Sequence, residues 1–477
     1  MWLQVGVALG TKSTTMKQML RAALQLAVVF LGVAARSQTP VSPAFAAVLQ
    51  QKLDSCVNAY DVPGISATLL LPGGRFWNGA AGVANIYTQE PMDTALLFQQ
   101  ASVTKLFTST LIMQLMEEGE LELDDTVGAF LPTILHVPSN TRIRHLLKHR
   151  SGLADLVADP NAANSWLLNP NYIWDPQDAI ETFGDDPLFA QDAAFTYSNT
   201  NYVLLGMIIE QITGVPYAEA LRTRILEPLG MDQTFFRPTE ALGGPLVPGW
   251  SSLSAANTYT DDMTYFLGPS FASMVFAAGA LVSRPWDVAR FNRGLFSGGL
   301  LEPATRDTMR VSTNVNMGGG ATGYGFGTMR YVFAGRTYFG HGGDINGFTQ
   351  LSIHNEMDSV TLTLSINRNN APRGPIASAL LDIVFLQLQV GLLDHADLDG
   401  AFDLFPVPAK DHVVLRISPA AGSQRIEMMD LNGRVLISGP ASGVDQCTID
   451  LRPYPSGTYL VRLITENGVR TRKLMVQ

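Results

Sequence analysis

The sequence predicts an α+β fold: an antiparallel sheet flanked by helices, with an inserted helical region, followed by a small C-terminal β-sandwich. Two observations predict this. Strand-like runs lie near residues 65–81 and again at 337–366, with helical periodicity between them; a sheet built from both ends of a segment around an inserted helical region is a layered plan. From Asp403 onward the pattern changes to short alternating runs with two Asn-Gly pairs, Asn432-Gly433 and Asn467-Gly468. Asn-Gly between alternating runs is a strong hairpin signal.

The elements follow in chain order. Lys17 and Arg21 precede an apolar run from Ala22 to Ala35, and Ala35-Arg36-Ser37 suits signal cleavage. Residues 1–37 therefore read as a signal peptide, with Met16 as an alternative start. The run is shorter than the roughly 20 residues of a spanning helix, so cleavage is favoured over an anchor and no stable membrane span is expected. A short linker over 38–43 leads to a helix, Ala44–Cys56. Strands Ile65–Leu71 and Phe76–Ala81 are joined by Pro72-Gly73-Gly74. Helices are expected over 104–118, Ile143–Lys148, Asn201–Thr213 and Tyr217–Glu227. Strands return at Thr337–Gly340, Phe348–His354 and Val360–Ile366, and an apolar helix follows at Ile376–Val390. The expected domains are 38–395 and 403–477, separated by a small polar stretch at 396–402.

Composition excludes several function classes. The apolar fraction of 46% against 16% charged residues suits a buried core rather than a disordered chain. A net charge of -10 leaves no basic footprint for nucleic acid. The only cysteines, Cys56 and Cys447, fall in different predicted domains, so neither a disulfide framework nor a cysteine-rich zinc site is expected. The remaining histidines, His136, His145, His149, His354, His395 and His412, show no ligand spacing, and no metal or cofactor is expected. Gly318–Gly323 matches a dinucleotide pattern by letter, but with no strand before it and no helix after it reads as a flexible loop. No GxSxG or HExxH pattern occurs.

Three short motifs carry chemistry. Only one of the seven lysines, Lys105, has a serine three residues before it. On a helix, i and i+3 share a face, so the Ser102 hydroxyl and the Lys105 amine can meet, and a neutral amine can take the serine proton. Ser102 falls at the start of the helix, where free N–H groups favour developing negative charge. Of 13 tyrosines only Tyr197 has an asparagine two residues on, giving Tyr197-Ser198-Asn199. A phenol can relay a proton and an amide can hold a lysine and a substrate carbonyl. His341-Gly342-Gly343 follows a short strand; paired glycines beside a strand edge let a substrate backbone approach, and a histidine there can hold an anion.

In this order the motifs resemble those of the penicillin-recognising serine hydrolases, whose related set is SxxK, SDN and KTG. The version here is similar to class C β-lactamases, D-Ala-D-Ala carboxypeptidases, and the esterases and D-amino-acid amidases on the same fold. The phrases FQQASVTKLFTS, IRHLLKHRSGL, YSNTNYVLLGMIIEQITG, AAGALVSRPWDVARF and GHGGDINGF extend the likeness over roughly residues 44–390. The resemblance implies Ser102 as nucleophile, Lys105 as its proton acceptor, Tyr197 as proton donor to the leaving group, and Asn199 as the group orienting Lys105 and the substrate amide. It places His341, Gly342 and Gly343 against the substrate, with His341 facing a carboxylate, and makes the oxyanion hole from the backbone N–H groups of Ser102 and Asp344. His341 stands where the family often has lysine, so a fixed charge becomes one that titrates near neutrality. Asp344 adds a carboxylate beside the hole.

LFPVPAKDHVVL, IEMMDLNGRVL and PSGTYLVRLITENGVRTRKLMVQ resemble the type IX secretion sorting domain of Bacteroidetes. The implied protein is a secreted or cell-surface serine hydrolase working through an acyl-serine, D-Ala-D-Ala carboxypeptidase- or β-lactamase-like. The alternatives are an esterase or amidase on the same fold, or a non-catalytic penicillin-binding relative. The implied partners are a small peptide, ester or β-lactam substrate and the secretion machinery.

Overall fold

The computed structural model describes residues 38–252, 259–264, 268–389, 402–417, 423–430, 434–440, 446–465 and 468–477. The expected signal peptide, the polar stretch near 396–401 and most of both Asn-Gly turns lie outside these. The described residues divide into two compact units, 38–40 with those of 48–379, and 41–47 with those of 380–477. The division falls inside the helix Arg373–Gln389 rather than at the polar stretch.

In the first unit a ten-stranded sheet is assembled from both ends of the segment. Its main strands are β1 (Thr39–Pro40), β2 (Gly64–Leu70), β3 (Arg75–Asn85), β4 (Thr313–Gly318), β5 (Ala321–Tyr324), β6 (Met329–Phe333), β7 (Arg336–Ile345), β8 (Phe348–Asn355) and β9 (Val360–Ile366). The spatial order is β1-β3-β2-β9-β8-β7-β6-β5-β4, and Glu90–Pro91 pairs with β3. Every pair but β1–β3 is antiparallel. The central strands β2, β8 and β9 are buried at every position. That explains why GISATLL and VTLTLSI carry no charged residue: both faces are covered. Some of their polar side chains are paired, as where Asn292 Nδ2 donates to Ser352 Oγ at 2.9 Å and Ser352 meets Thr363 at 2.9 Å. The helix Pro285–Ser297, which carries Asn292, packs against β2, β8 and β9.

The inserted region supplies two helices that position the site, α1 (Thr104–Glu117) and α2 (Asn199–Thr213). Their residues join one apolar core. Two shorter helices start on proline, with the preceding Asp159 and Asp175 accepting from the first-turn N–H groups; proline lacks the N–H that has no helical partner there, and the carboxylate satisfies others.

Two expectations are corrected. Gly318–Gly320 is not a free loop: it turns β4 into β5, with all three glycines at positive φ. And β7 does not stop at Gly340; it continues through His341, Gly342 and Gly343 to Ile345. Glycines at 340, 342 and 343 hid this extension, because they lack the side chains that signal a strand.

The second unit carries a three-stranded antiparallel sheet, Phe402–Phe405, His412–Ile417 and Gln446–Asp450, and a four-stranded one, Val435–Pro440, Ser423–Met429, Gly457–Thr465 and Gly468–Val476. Inward residues of both, including Val413, Leu415, Met428, Val461 and Leu474, form a single core, as in a small sandwich. Cys56 and Cys447 are both free thiols.

Candidate active site

Ser102 lies in the 3-10 turn Ala101–Val103 that leads into α1. Ala101 is held at φ 48°, a left-handed conformation that costs energy in a residue with a Cβ. The turn is pinned from outside: Gln100 N donates to Leu281 O at 2.8 Å, and Thr104 Oγ1 donates to Ala101 O at 2.7 Å. Among residues 100–105 only Ser102 is not buried. The fold spends local strain on presenting one hydroxyl.

Lys105 sits in the first turn of α1, fully buried. Its Nζ donates to Ser102 Oγ at 3.2 Å, Asn199 Oδ1 at 2.7 Å and Ala278 O at 2.8 Å. Burial lowers its pKa to about 7, against the nearby Asp155 carboxylate, which raises it. A buried ammonium is disfavoured because it loses hydration. Near neutrality a neutral amine is therefore present, with a lone pair free to accept the Ser102 proton.

Asn199 begins α2, and its orientation is settled by Asp155. The Asn199 amide Nδ2 donates to both Asp155 oxygens, at 3.2 and 3.0 Å, and its backbone N–H donates to Oδ1 at 3.1 Å. An ionised carboxylate only accepts, so the amide oxygen must face Lys105. Desolvation raises the Asp155 pKa, opposed by its backbone hydrogen bonds to Val157 and Asn199 and by Lys105.

The Tyr197 hydroxyl is shielded from solvent and has no hydrogen-bond partner of good geometry, although Ser102 lies close enough to lower its pKa against a larger rise caused by desolvation. The ring lies 4.9 Å from Lys105 Nζ.

β7 passes beneath the nucleophile. Its pairing with β6 ends at Gly340, so residues 341–345 have no β6 partner. A Cβ on Gly343 would stand 2.5 Å from Gln100 O and 3.2 Å from Ser102 N; one on Gly342 would stand 2.8 Å from Arg373 Cζ. Gly343 is needed for the close approach of the two backbones, whereas at Gly342 the neighbour is the end of the Arg373 side chain. Arg373 is almost buried, pairs with the half-exposed Asp344 carboxylate, and reaches Gly343 O at 3.4 Å.

His341 departs from expectation. Its ring is fully buried, with Nδ1 at 2.5 Å from Gly342 O and Nε2 at 3.1 Å from the Tyr324 hydroxyl. Burial, then Lys105, push its pKa down to about 3. It is neutral at working pH, and both nitrogens are engaged within the protein. The expected charge switch near neutrality is corrected: the cation at this strand edge is Arg373. The sequence reading also missed Asp155, His149 and Tyr324, all of which touch the motif residues. No His/Cys/Asp/Glu cluster fit for a metal occurs among the described residues, and no helix among them is long and apolar enough to cross a membrane.

Residues 45–384 match the family described as Beta-lactamase, and residues 403–477 match the secretion system C-terminal sorting domain. "Penicillin-binding protein 4" of Amycolatopsis lactamdurans is 28% identical over 400 residues, covering 79% of this chain and 97% of that protein. A D-stereospecific amidohydrolase from a Streptomyces species superimposes with a TM-score of 0.61 at 31% identity, covering 71% of this chain and 97% of that one. D-amino acid amidase from Ochrobactrum anthropi SV3 does so with a TM-score of 0.64 at 28% identity, covering 72% of this chain and 99% of that one.

Proposed function

Since the chain belongs to the β-lactamase family of serine hydrolases, we propose that it hydrolyses amide or peptide bonds at D-amino-acid residues through an acyl-serine on Ser102. The observation that carries this is the buried Lys105 amine, its pKa lowered to about 7, at 3.2 Å from the one accessible hydroxyl in its turn. As Oγ attacks the carbonyl carbon, Lys105 takes the Oγ proton and the carbonyl oxygen becomes anionic between the N–H groups of Ser102 and Asp344. The Tyr197 hydroxyl, beside Ser102, gives its proton to the departing nitrogen, and Lys105 restores it. Water then attacks the acyl-serine by the same steps in reverse. Asn199 holds Lys105 in place. D-amino acid amides, D-Ala-D-Ala peptides, a chromogenic cephalosporin and short p-nitrophenyl esters separate the readings. Hydrolysis of D-amides in preference to their L-forms is expected; turnover of esters alone would favour the esterase reading.

The strand edge sets a finer expectation. Asp344 already neutralises Arg373, which suits an uncharged amide end better than a free carboxylate. Asp344→Asn frees the guanidinium. KM for a carboxylate-terminated D-peptide is expected to fall roughly two- to fivefold, matching the ~0.5–1 kcal/mol of a partly exposed ion pair, while KM for a neutral amide stays unchanged. An equal change for both substrates would remove Arg373 from substrate recognition.

The C-terminal segment matches a secretion sorting domain, which implies export to the cell surface or medium. A chain ending at residue 401 is expected to keep its hydrolytic rate and to lose export. Unfolding of that chain would make the tail part of the catalytic unit.

A further inference from the structure

A buried chain of hydrogen bonds runs behind the site, and its direction is set by groups that can play only one part. Ser198 N–H and Asn201 Nδ2 both point at His149 Nδ1, at 3.2 and 3.0 Å. The other end of the Asn201 amide, Oδ1, accepts from Ser151 Oγ at 2.6 Å. A backbone N–H cannot accept, so His149 Nδ1 must be the bare acceptor and the proton must sit on Nε2. Nε2–H then donates to the Tyr324 oxygen at 3.1 Å. At the other end the Gly342 carbonyl cannot donate. His341 therefore carries its proton on Nδ1 towards Gly342 O, and its bare Nε2 accepts from the Tyr324 hydroxyl. The Tyr202 hydroxyl donates to Leu147 O at 2.9 Å, and its oxygen lies 3.4 Å from the Tyr324 hydroxyl, a longer contact than the 3.1 Å from Tyr324 to His341 Nε2, so the imidazole is the nearer and more basic acceptor of the Tyr324 proton.

The two ends of this chain are the two parts of the site that must keep register. At one end the His149 ring lies against the Tyr197 ring, with centroids 4.1 Å apart, and Ser198 is the residue between Tyr197 and Asn199. At the other end His341 and Gly342 belong to the strand edge beneath Ser102. His149, Tyr324 and His341 are fully buried, so water offers no alternative partner. Breaking one link orphans a donor and an acceptor together.

We propose that His149 and Tyr324 are positioning residues: through a one-way hydrogen-bonded chain to His341 they lock the Tyr197–Asn199 segment and the Gly342–Gly343 strand edge into a single rigid frame. The proposal rests on the acyl-serine reading of Ser102 for its effect on rate, but its structural core does not. That core requires the two buried histidines to be opposite neutral tautomers, His149 protonated on Nε2 and His341 on Nδ1.

The test has two arms on the full chain. Nitrogen-15 NMR of the histidine rings reads the tautomers directly. Opposite tautomers are expected, and Tyr324→Phe, which removes one oxygen and keeps the ring, is expected to shift both histidines. Identical tautomers, or a shift at only one ring, would overturn the chain. The second arm measures the acylation rate per folded molecule, at 25 °C and well below the melting temperature of each variant. Tyr324→Phe and His149→Phe are each expected to slow acylation about 10–100-fold, as small misplacements of reacting groups do. The double variant is expected to be no slower than either single one, since both cut one chain, and His149→Gln, which can still accept and donate, to recover part of the rate. Unchanged acylation in folded Tyr324→Phe, or losses that multiply in the double variant, would overturn the positioning role. If wild type is not acylated at Ser102 while the opposite tautomers are found, the acyl-serine reading fails and takes the positioning role with it; the hydrogen-bonded frame alone survives.

Discussion

Lys105→Met is expected to slow acylation of Ser102 by about 10²–10⁴-fold, the usual cost of losing a general base. Methionine fills much of the same buried space, so the loss reflects the amine rather than a cavity. The wild-type rate is expected to rise with pH through about 7, the value to which burial lowers the Lys105 ammonium. The sign follows from the direction of the shift: below that pH the lysine is protonated and cannot take the Ser102 proton, and above it the neutral amine predominates. Asp155 pulls the same pKa upward. Asp155→Asn is therefore expected to move the acidic limb to lower pH, and also to reduce the rate, because Asn199 Nδ2 loses one of the two carboxylate oxygens that fix its amide. Stopped-flow acylation across pH 5–9 reads both effects. An acidic limb that stays put in Asp155→Asn would sever the link between that carboxylate and Lys105.

His341 contributes no limb of its own. Buried and bonded at both nitrogens, it stays neutral down to about pH 3. KM for a carboxylate-terminated peptide is expected to show no histidine-like step between pH 5 and 8.

What could be read from the sequence was local. Ser102 and Lys105 are three residues apart, and helix geometry alone brings them together. The central strands β2 and β9 announce themselves through β-branched and apolar runs. The two-ended sheet followed from where such runs lie. What escaped was made by distant contacts. Asp155 orients Asn199 across 44 residues, and Arg373 reaches back to Asp344 across 29; nothing in either residue's neighbourhood marks it. His149 showed no ligand spacing because its partners are a backbone N–H, an amide and a phenol gathered by the fold. His341 was misjudged for a related reason. Its intrinsic pKa is visible in the letter H, while the burial that overrides it belongs to the packed structure. The hairpin through Gly318–Gly320 was hidden because those glycines turn the chain without any apolar alternation of their own.

The central claim is that Ser102 forms the covalent acyl-enzyme. Intact-protein and peptide mass spectrometry after incubation with a penicillin or a fluorophosphonate measures it most directly. The account predicts one added probe mass per chain, located on the peptide containing Ser102, and no added mass in Ser102→Ala. Labelling that persists in Ser102→Ala, or that maps to any other residue in the wild type, would contradict it.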